Sequence, residues 1–424
     1  MAGASLSRFA DNYGYTDYGV IEREYEATRL LYATESSHSI PRFRLKESEI
    51  TSLGNIVSTR KRLYEALGVS SDGEAYEKLL DALANPKELR KVGDPGGYKK
   101  ASRGLFSLPF AKFYEGDGGY YLTAAFIVAC LDGVCNASIH RIMLLDEKRA
   151  AVRVVPRHLY TLYQRALASG RPLPVTIVLG VHPAVLVAVA SSPRLGVFEL
   201  EAASALMGGL EVFPSPVHGN PVPVGAGVVV EGFLTGERAR EGPFADILLL
   251  YDKVREEPVL TVEEVLVSDE YAHVLLPGGM EHILLMGFPR EAQIWQAVAR
   301  VVPRVHKVRL TRGGGGWLNA IVSIDKTHDG DGKNAIMAAF AGHPSLKHVI
   351  VVDSDIDPDD PVMVEWAVAT RFQADKDLVI VREARGSTLD PSGRDGFTAK
   401  MGIDATIPDK SKADIYRRAR IPGE

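Results

Sequence analysis

The sequence predicts a mixed α/β protein of two or three domains, with a mostly helical N-terminal part, a β-rich centre and a C-terminal α/β layer. Three observations carry this. The 424 residues exceed what one hydrophobic core organises. Short runs rich in Val, Ile and Leu, punctuated by Gly, Pro and charge, fill the middle of the chain. Beyond about residue 295, similar runs alternate with helical periodicity.

Apolar residues three and four apart predict helices within Glu47–Leu67 and Glu74–Ala84, and the Gly-, Lys- and Pro-rich stretch Lys91–Arg103 reads as a loop or domain boundary. Strands are predicted at Tyr120–Ala129, Ile142–Leu145, Ala151–Val155, Val175–Leu179, Val185–Ala190, Val228–Gly232 and Ile247–Tyr251. Helices interrupt them at Leu159–Ala168 and Glu199–Met207, and a barrel is one closure such strands allow. The β texture persists through Tyr271–Leu275. In the last part, strands at Val305–Leu310, Ala320–Ile324, Val349–Val352 and Leu378–Val381 alternate with helices at Lys333–Phe340 and Val362–Ala369. Lys410–Arg420 reads as a charged amphipathic helix suited to packing on a neighbouring subunit. The corresponding domains are 1–115, 116–300 and 301–424.

Apolar residues at 46% and charged residues at 24% are ordinary for a soluble globular protein. A net charge of −5, without a Lys/Arg-rich block, argues against a nucleic-acid partner. The longest apolar run, Val175–Ala190, is broken by Gly180, His182 and Pro183 and is too short to span a bilayer. Asp11 and its polar neighbours stand where a signal peptide needs an apolar stretch, so a cytoplasmic protein without a membrane partner is expected. Cys130 and Cys135 read as two buried thiols, neither a disulfide nor a zinc pair.

Several motifs invite chemistry. Thr311-Arg-Gly-Gly-Gly-Gly-Trp317 has the glycines of a phosphate cradle but not the Gly-Lys-Ser/Thr ending, and reads as a mobile loop. Asp329-Gly-Asp-Gly-Lys333 lacks the bidentate Glu of a calcium loop. Val352-Asp-Ser-Asp-Ile-Asp357 suits a magnesium site for phosphoryl transfer as well as it suits a cap on the next helix. Asn136, His158 and Glu199 supply an amide oxygen, an imidazole and a carboxylate, a mixed set suited to Mg²⁺ or Mn²⁺. Glu241-Gly-Pro-Phe-Ala-Asp246 places two carboxylates around a turn, where an arginine can split their pKa values and leave one acid protonated.

Taken together, these segments resemble the UbiD family of decarboxylases, which use prenylated FMN. Asn136-x-x-x-x-Arg141 is similar to the family's Asn-(small)-x-x-Tyr-Arg segment, with His140 where Tyr is usual. Glu241-Gly-Pro-Phe-Ala-Asp246 resembles its Glu-Gly-Pro-x-Gly-Asp/Glu segment, with Ala245 for Gly. Val352–Pro358, Trp366–Arg371, Ala384–Pro391 and Lys400–Thr406 are similar to its carboxy-terminal signature, so the likeness runs from about Tyr120 to Ala405. The resemblance implies an N-terminal α/β domain, a central split β-barrel that binds the flavin, and a C-terminal α/β domain with an oligomerisation helix.

The resemblance also implies roles. Arg141, Glu241 and Asp246 are the expected catalytic set. Arg141 pairs with the substrate carboxylate or holds Glu241, Asp246 donates the proton, and Glu241 couples them. Asn136, His158 and Glu199 are the expected ligands of Mn²⁺ or Mg²⁺, with Glu201 as the alternative to Glu199. Ala190, Ser191 and Ser192 match a turn that meets K⁺ and the flavin. Ile139, Arg141, Arg157, Pro193 and the phosphate-contacting Lys400 complete the expected cofactor site. Asp353, Asp355 and Asp357 become structural. A flavin prenyltransferase would supply the cofactor, and a homodimer or larger homo-oligomer is implied. The chain looks most like archaeal members, some of which convert trans-anhydromevalonate 5-phosphate to isopentenyl phosphate in a modified mevalonate pathway. An aromatic acid such as a 4-hydroxybenzoate is the alternative substrate. A non-catalytic flavin-binding subunit and a phosphotransferase built on Asp353 and Asp355 are the readings from other classes.

Overall fold

Antiparallel pairing dominates the middle of the chain, because hairpins and meanders need only short connections. The computed structural model describes residues 5–394 and 396–419. Two compact units emerge: the chain up to Ser71 with Lys78–Met286, and Asp72–Glu77 with the chain from Gly287 onward.

The first unit holds a four-stranded sheet (Tyr15–Ile21, Ile40–Leu45, Ser52–Leu53, Ala272–His273) and a nine-stranded sheet. The larger sheet runs Tyr121–Leu122, Ile142–Leu144, Arg149–Val152, Arg255–Val267, Val228–Glu241, Leu173–Leu179, Phe126–Leu131, Val134–Ile139, with Lys99–Lys100 also on Arg255–Val267. All its pairs are antiparallel. Asp132 and Gly133, both at positive φ, make the two-residue turn between the last two strands, as Asp-Gly does in hairpins. Helices His158–Ala168, Pro183–Ala190 and Glu199–Met207 pack against this hairpin and cover its apolar face.

The second unit is a five-stranded sheet ordered Val305–Leu310, Asn319–Ile324, His348–Asp353, Phe397–Ala405, Leu378–Arg385. Its two inner pairings are parallel and its outer ones antiparallel. Helices Asp331–Gly342 and Pro361–Arg371 bury Ile336, Ala339, Val364 and Ala367 in cores that also hold Val349, Val351 and Val352 of the sheet.

The structure corrects several expectations. Val185–Ala190 is a helix, Pro183–Ala190, not a strand. All eight of its residues are buried, so it shows no amphipathic period; Pro183 at its start and His182 Nδ1, accepting from the Ala184 N–H, are its only helix signals. Ile247–Leu250 is the tip of a tight turn flanked by Phe244–Ala245 and Tyr251–Asp252. Within Glu47–Leu67 only Arg60–Leu67 is helical, because Ser52–Leu53 pairs as a strand and Asn55 adopts positive φ before the Thr59 cap. The N-terminal part therefore mixes strands with helices. Sequence periodicity also missed the helix Met280–Val298, which carries Pro289 inside it.

Cys130 and Cys135, expected as thiols, form a disulfide. The Asp132–Gly133 turn sets them directly opposite each other across the ladder, with Cα atoms 4.1 Å apart, a register that counting cysteines does not reveal. Lys410–Tyr416 forms 3₁₀ turns with a break at Lys412 rather than an amphipathic helix. None of its residues is buried, and a short segment without packing gains too little from helix hydrogen bonds to propagate. Arg420 lies outside the described residues. Among the described residues no helix is long and apolar enough to cross a membrane.

Candidate active site

The strand Val228–Glu241 ends on Glu241, which pairs across the ladder with Arg255. The chain then turns through Gly242–Pro243, and Phe244 pairs with Asp252. Asp117 pins this turn: its Oδ1 accepts from the Ala245 N–H at 3.0 Å, and its Oδ2 from the Phe113 and Tyr114 N–H groups. Gly118 approaches so closely that a Cβ there would lie 2.1 Å from the Gly242 carbonyl oxygen. Hairpin register thus gathers Glu241, Asp252 and Arg255 at one place.

Arg141 follows the Val134–Ile139 strand and meets that place. Its Nε and Nη2 donate to the two oxygens of Glu241, both at 2.8 Å, in a bidentate fork. Nη2 also donates to Asp252 Oδ2 at 3.0 Å, and Arg255 Nη1 lies 2.5 Å from that same oxygen. The guanidinium sits 4.8 Å from the centre of the Phe244 ring. Glu241 is fully buried, so a charged partner is essential to it. Burial opposes the charge on Asp252, yet Arg255 and Arg141 outweigh it and hold the carboxyl below its ordinary value. Among the described residues nothing accepts from Arg141 Nη1, which leaves that edge for a ligand.

Asp246 stands at the hairpin tip. Among the described residues its carboxylate accepts from the Leu248 N–H at 2.8 Å and the Leu250 N–H at 3.3 Å, both at Oδ1, and nothing donates to Oδ2. Burial raises its pKa, the two N–H bonds and Arg141 pull against it, and Asp252 adds to the rise; the net shift is upward. The acid is therefore suited to holding a proton.

A second cluster lies on the disulfide hairpin. Asn136 and Glu199 are both buried, and Asn136 Nδ2 donates to Glu199 Oε1 at 2.8 Å. Glu199 Oε2 accepts from the Ala137 N–H at 2.8 Å, and His158 Nδ1 lies 3.7 Å from Glu199 Oε1. Glu199 and His158 each open a helix, which brings their heads to one point over the strand. Glu199, not Glu201, meets Asn136 and His158. Amide, imidazole and carboxylate heads within 4 Å of Glu199 suit a hard divalent cation, once the Asn136 amide turns its oxygen inward. Among the described residues no group of three His, Cys, Asp or Glu offers a competing metal site.

The remaining expected residues divide. Arg157 Nη1 donates to Ser192 Oγ at 3.2 Å, joining two cofactor candidates, and Ser192 has positive φ just before Pro193. Ser191 Oγ donates to the Val187 carbonyl. Ile139 ends its strand half-buried beside His140. Lys400, in the second unit, donates to the Pro344 and Leu346 carbonyls, and burial pushes its pKa down to about 8. Asp353 and Asp355 pair with Arg371, and Asp357 with Lys307, the structural use of that run. Thr311 caps a 3₁₀ turn in the glycine loop. Sequence reading missed Asp252, Arg255 and Asp117; the first two had the signal of a carboxylate and an arginine just beyond Asp246.

The chain is similar to known proteins. A family model described as the 3-octaprenyl-4-hydroxybenzoate carboxy-lyase Rift-related domain (UbiD) matches residues 94–280, and that of the corresponding C-terminal domain matches 283–405. Anhydromevalonate phosphate decarboxylase of Aeropyrum pernix is 53% identical over 426 residues, which cover 100% of this chain and 97% of the relative. The enzyme of that name from Methanothermobacter thermautotrophicus is 44% identical over 382 residues, covering 89% and 90%. The UbiD-class enzyme HmfF from Pelotomaculum thermopropionicum, solved in complex with FMN, superposes with a TM-score of 0.94 at 37% identity, covering 99% of this chain and 98% of that one.

Proposed function

The chain belongs to the UbiD family of carboxy-lyases, and we propose that it decarboxylates trans-anhydromevalonate 5-phosphate to isopentenyl phosphate. Identity of 53% along the whole chain to an anhydromevalonate phosphate decarboxylase carries this reading, and the assembled Arg141–Glu241–Asp246 group supports it. The central antiparallel sheet is read as a split β-barrel that binds prenylated FMN, between N-terminal and C-terminal α/β domains.

When bound, prenylated FMN supplies the electron sink that a carbon losing CO₂ requires. The protein supplies the rest. Glu241 occupies the Nε/Nη2 fork of Arg141, so the substrate carboxylate meets the guanidinium at Nη1 and is oriented end-on. Phe244 covers one face of that guanidinium. Asp246, whose pKa burial raises, is the acid placed to give a proton from Oδ2 to the carbon that CO₂ has left and to take another from solvent. Asn136, His158 and Glu199 would hold Mn²⁺ or Mg²⁺, Ala190–Ser192 would meet K⁺, and Lys400 would contact phosphate. A flavin prenyltransferase provides the cofactor to a cytoplasmic homo-oligomer.

Full-length protein co-produced with a flavin prenyltransferase tests this. Release of CO₂ and isopentenyl phosphate from trans-anhydromevalonate 5-phosphate is expected, with 4-hydroxybenzoate left intact. Turnover of the aromatic acid alone would overturn the substrate assignment.

A further inference from the structure

Four polar groups form a chain that starts on the disulfide hairpin and ends just past the Arg149–Val152 strand. Asn136 Oδ1 lies 3.0 Å from Ser138 Oγ, Ser138 Oγ lies 2.8 Å from His140 Nε2, and His140 Nδ1 lies 2.9 Å from the Arg153 carbonyl oxygen. Counting hydrogens along it has one consistent solution. A carbonyl oxygen only accepts, so His140 Nδ1 carries the proton that faces Arg153. His140 is buried, and desolvation pushes its pKa down to about 4, so the ring is neutral and has no second N–H. Nε2 therefore accepts, and the hydrogen it accepts is the only one Ser138 Oγ has. Ser138 can then only accept from Asn136.

The group facing Ser138 must accordingly be the Asn136 NH₂, which directs Oδ1 at Glu199. The two ends of an amide exchange by a half-turn, and their partners decide between them. With Oδ1 beside the Glu199 carboxylate two acceptors face each other, unless a cation lies between them. Without one, Nδ2 turns to donate to Glu199 Oε1, and Ser138 is asked for two hydrogens at once. A cation satisfies both ends of the chain.

We propose that Ser138 and His140 are positioning residues that hold the Asn136 amide with Oδ1 toward a divalent-cation site. Through them the Arg153 carbonyl orients a metal ligand three hydrogen bonds away. The inference rests on the reading of Asn136 as a ligand.

Mn²⁺ titration of the full chain with FMN, followed by the electron paramagnetic resonance of free Mn²⁺, tests it. Ser138→Ala is expected to weaken Mn²⁺ about 10-fold or more, as loss of a partner behind a ligand does. Ser138→Thr, which keeps the hydroxyl, retains wild-type affinity. If Asn136→Ala binds Mn²⁺ like wild type, the ligand reading fails and the proposal falls with it. If Asn136→Ala weakens binding but Ser138→Ala does not, the proposal alone is overturned. Should Ser138→Ala not fold, ¹⁵N NMR of the histidine rings in wild type, assigned with His140→Gln, decides: an Nδ1–H tautomer is expected at His140, and an Nε2–H tautomer overturns the chain.

Discussion

Arg141 serves two carboxylates with one nitrogen: its Nη2 lies 2.8 Å from Glu241 Oε2 and 3.0 Å from Asp252 Oδ2. The second contact divides the positive charge that otherwise acts on Asp246. Asp252 raises the Asp246 pKa directly, while Arg141 lowers it. Other ionisable groups near the hairpin include Glu241 and Arg255 in the same network, Asp117 on the Ala245 N–H, Tyr121 close to Glu241 and Arg141, and Tyr251 and Lys253 on the hairpin itself. A proton donor works below its pKa, so activity falls as pH rises through the pKa of Asp246. Asp252→Asn removes the charge that raises that pKa. The alkaline limb of the pH–rate profile should move to lower pH, and Asp252→Glu should restore it. A lower rate with an unmoved limb would assign Asp252 a packing role only.

Arg141 is also a stability element. Glu241 has no exposure, and removing its partner leaves a buried charge alone, which costs roughly 3–5 kcal/mol. Arg141→Ala should lower the free energy of unfolding by that amount as well as abolish turnover. Arg141→Lys should rescue little, because an ammonium cannot reproduce the fork on both Glu241 oxygens. A wild-type stability for Arg141→Ala would show that the pair adds nothing to the fold.

What the sequence revealed and what it hid follow one physical line. Arg141, Glu241 and Asp246 sit in short contiguous motifs, and the helices Leu159–Ala168 and Glu199–Met207 carry their periodicity in their own residues. Asp252 and Arg255 join the site only through hairpin register, which pairs Phe244 with Asp252 and Glu241 with Arg255. The same is true of Cys130 and Cys135. Pro183–Ala190 was misread for the opposite reason: buried on every side, it has no polar face to betray its period. Local chemistry was legible, and contacts created by pairing were not.

Asp246→Asn separates catalysis from folding. Asn keeps an Oδ1 for the Leu248 and Leu250 N–H groups but has no acidic proton. Loss of a positioned proton donor should reduce turnover by about 10²-fold or more. A carboxyl whose folded pKa is raised stabilises the fold only while protonated, and that stability is lost as pH rises through the folded pKa. The thermal midpoint of Asp246→Asn should therefore equal or exceed wild type at alkaline pH, with flavin binding retained. Full activity in this variant would end the proton-donor assignment.

Reduction of the Cys130–Cys135 disulfide should be mild. The bridge closes a loop of only a few residues, worth about 2 kcal/mol in the chain-entropy account, and the Asp132–Gly133 turn already closes it. Free energies of unfolding with and without a phosphine reductant should differ by no more than that. A larger loss would mean that the bridge holds Asn136, the next residue after Cys135, over Glu199.

His158 tests the cation cluster from the helix side. Its ring opens the His158–Ala168 helix and reaches to 3.7 Å from Glu199 Oε1, while Asn136 approaches the same oxygen from the strand. His158 is one of the three proposed ligands, and a site reduced from three ligands to two holds a cation weakly. If that cation also anchors the cofactor phosphate, His158→Ala should lose metal and flavin together, whereas the Arg141–Glu241 pair, held by its own two hydrogen bonds, stays intact. Metal content by mass spectrometry and flavin absorbance of purified His158→Ala, set beside its thermal midpoint, measure this. Flavin occupancy equal to wild type would remove His158 from the cofactor site, and loss of flavin with metal retained would place it against the cofactor alone.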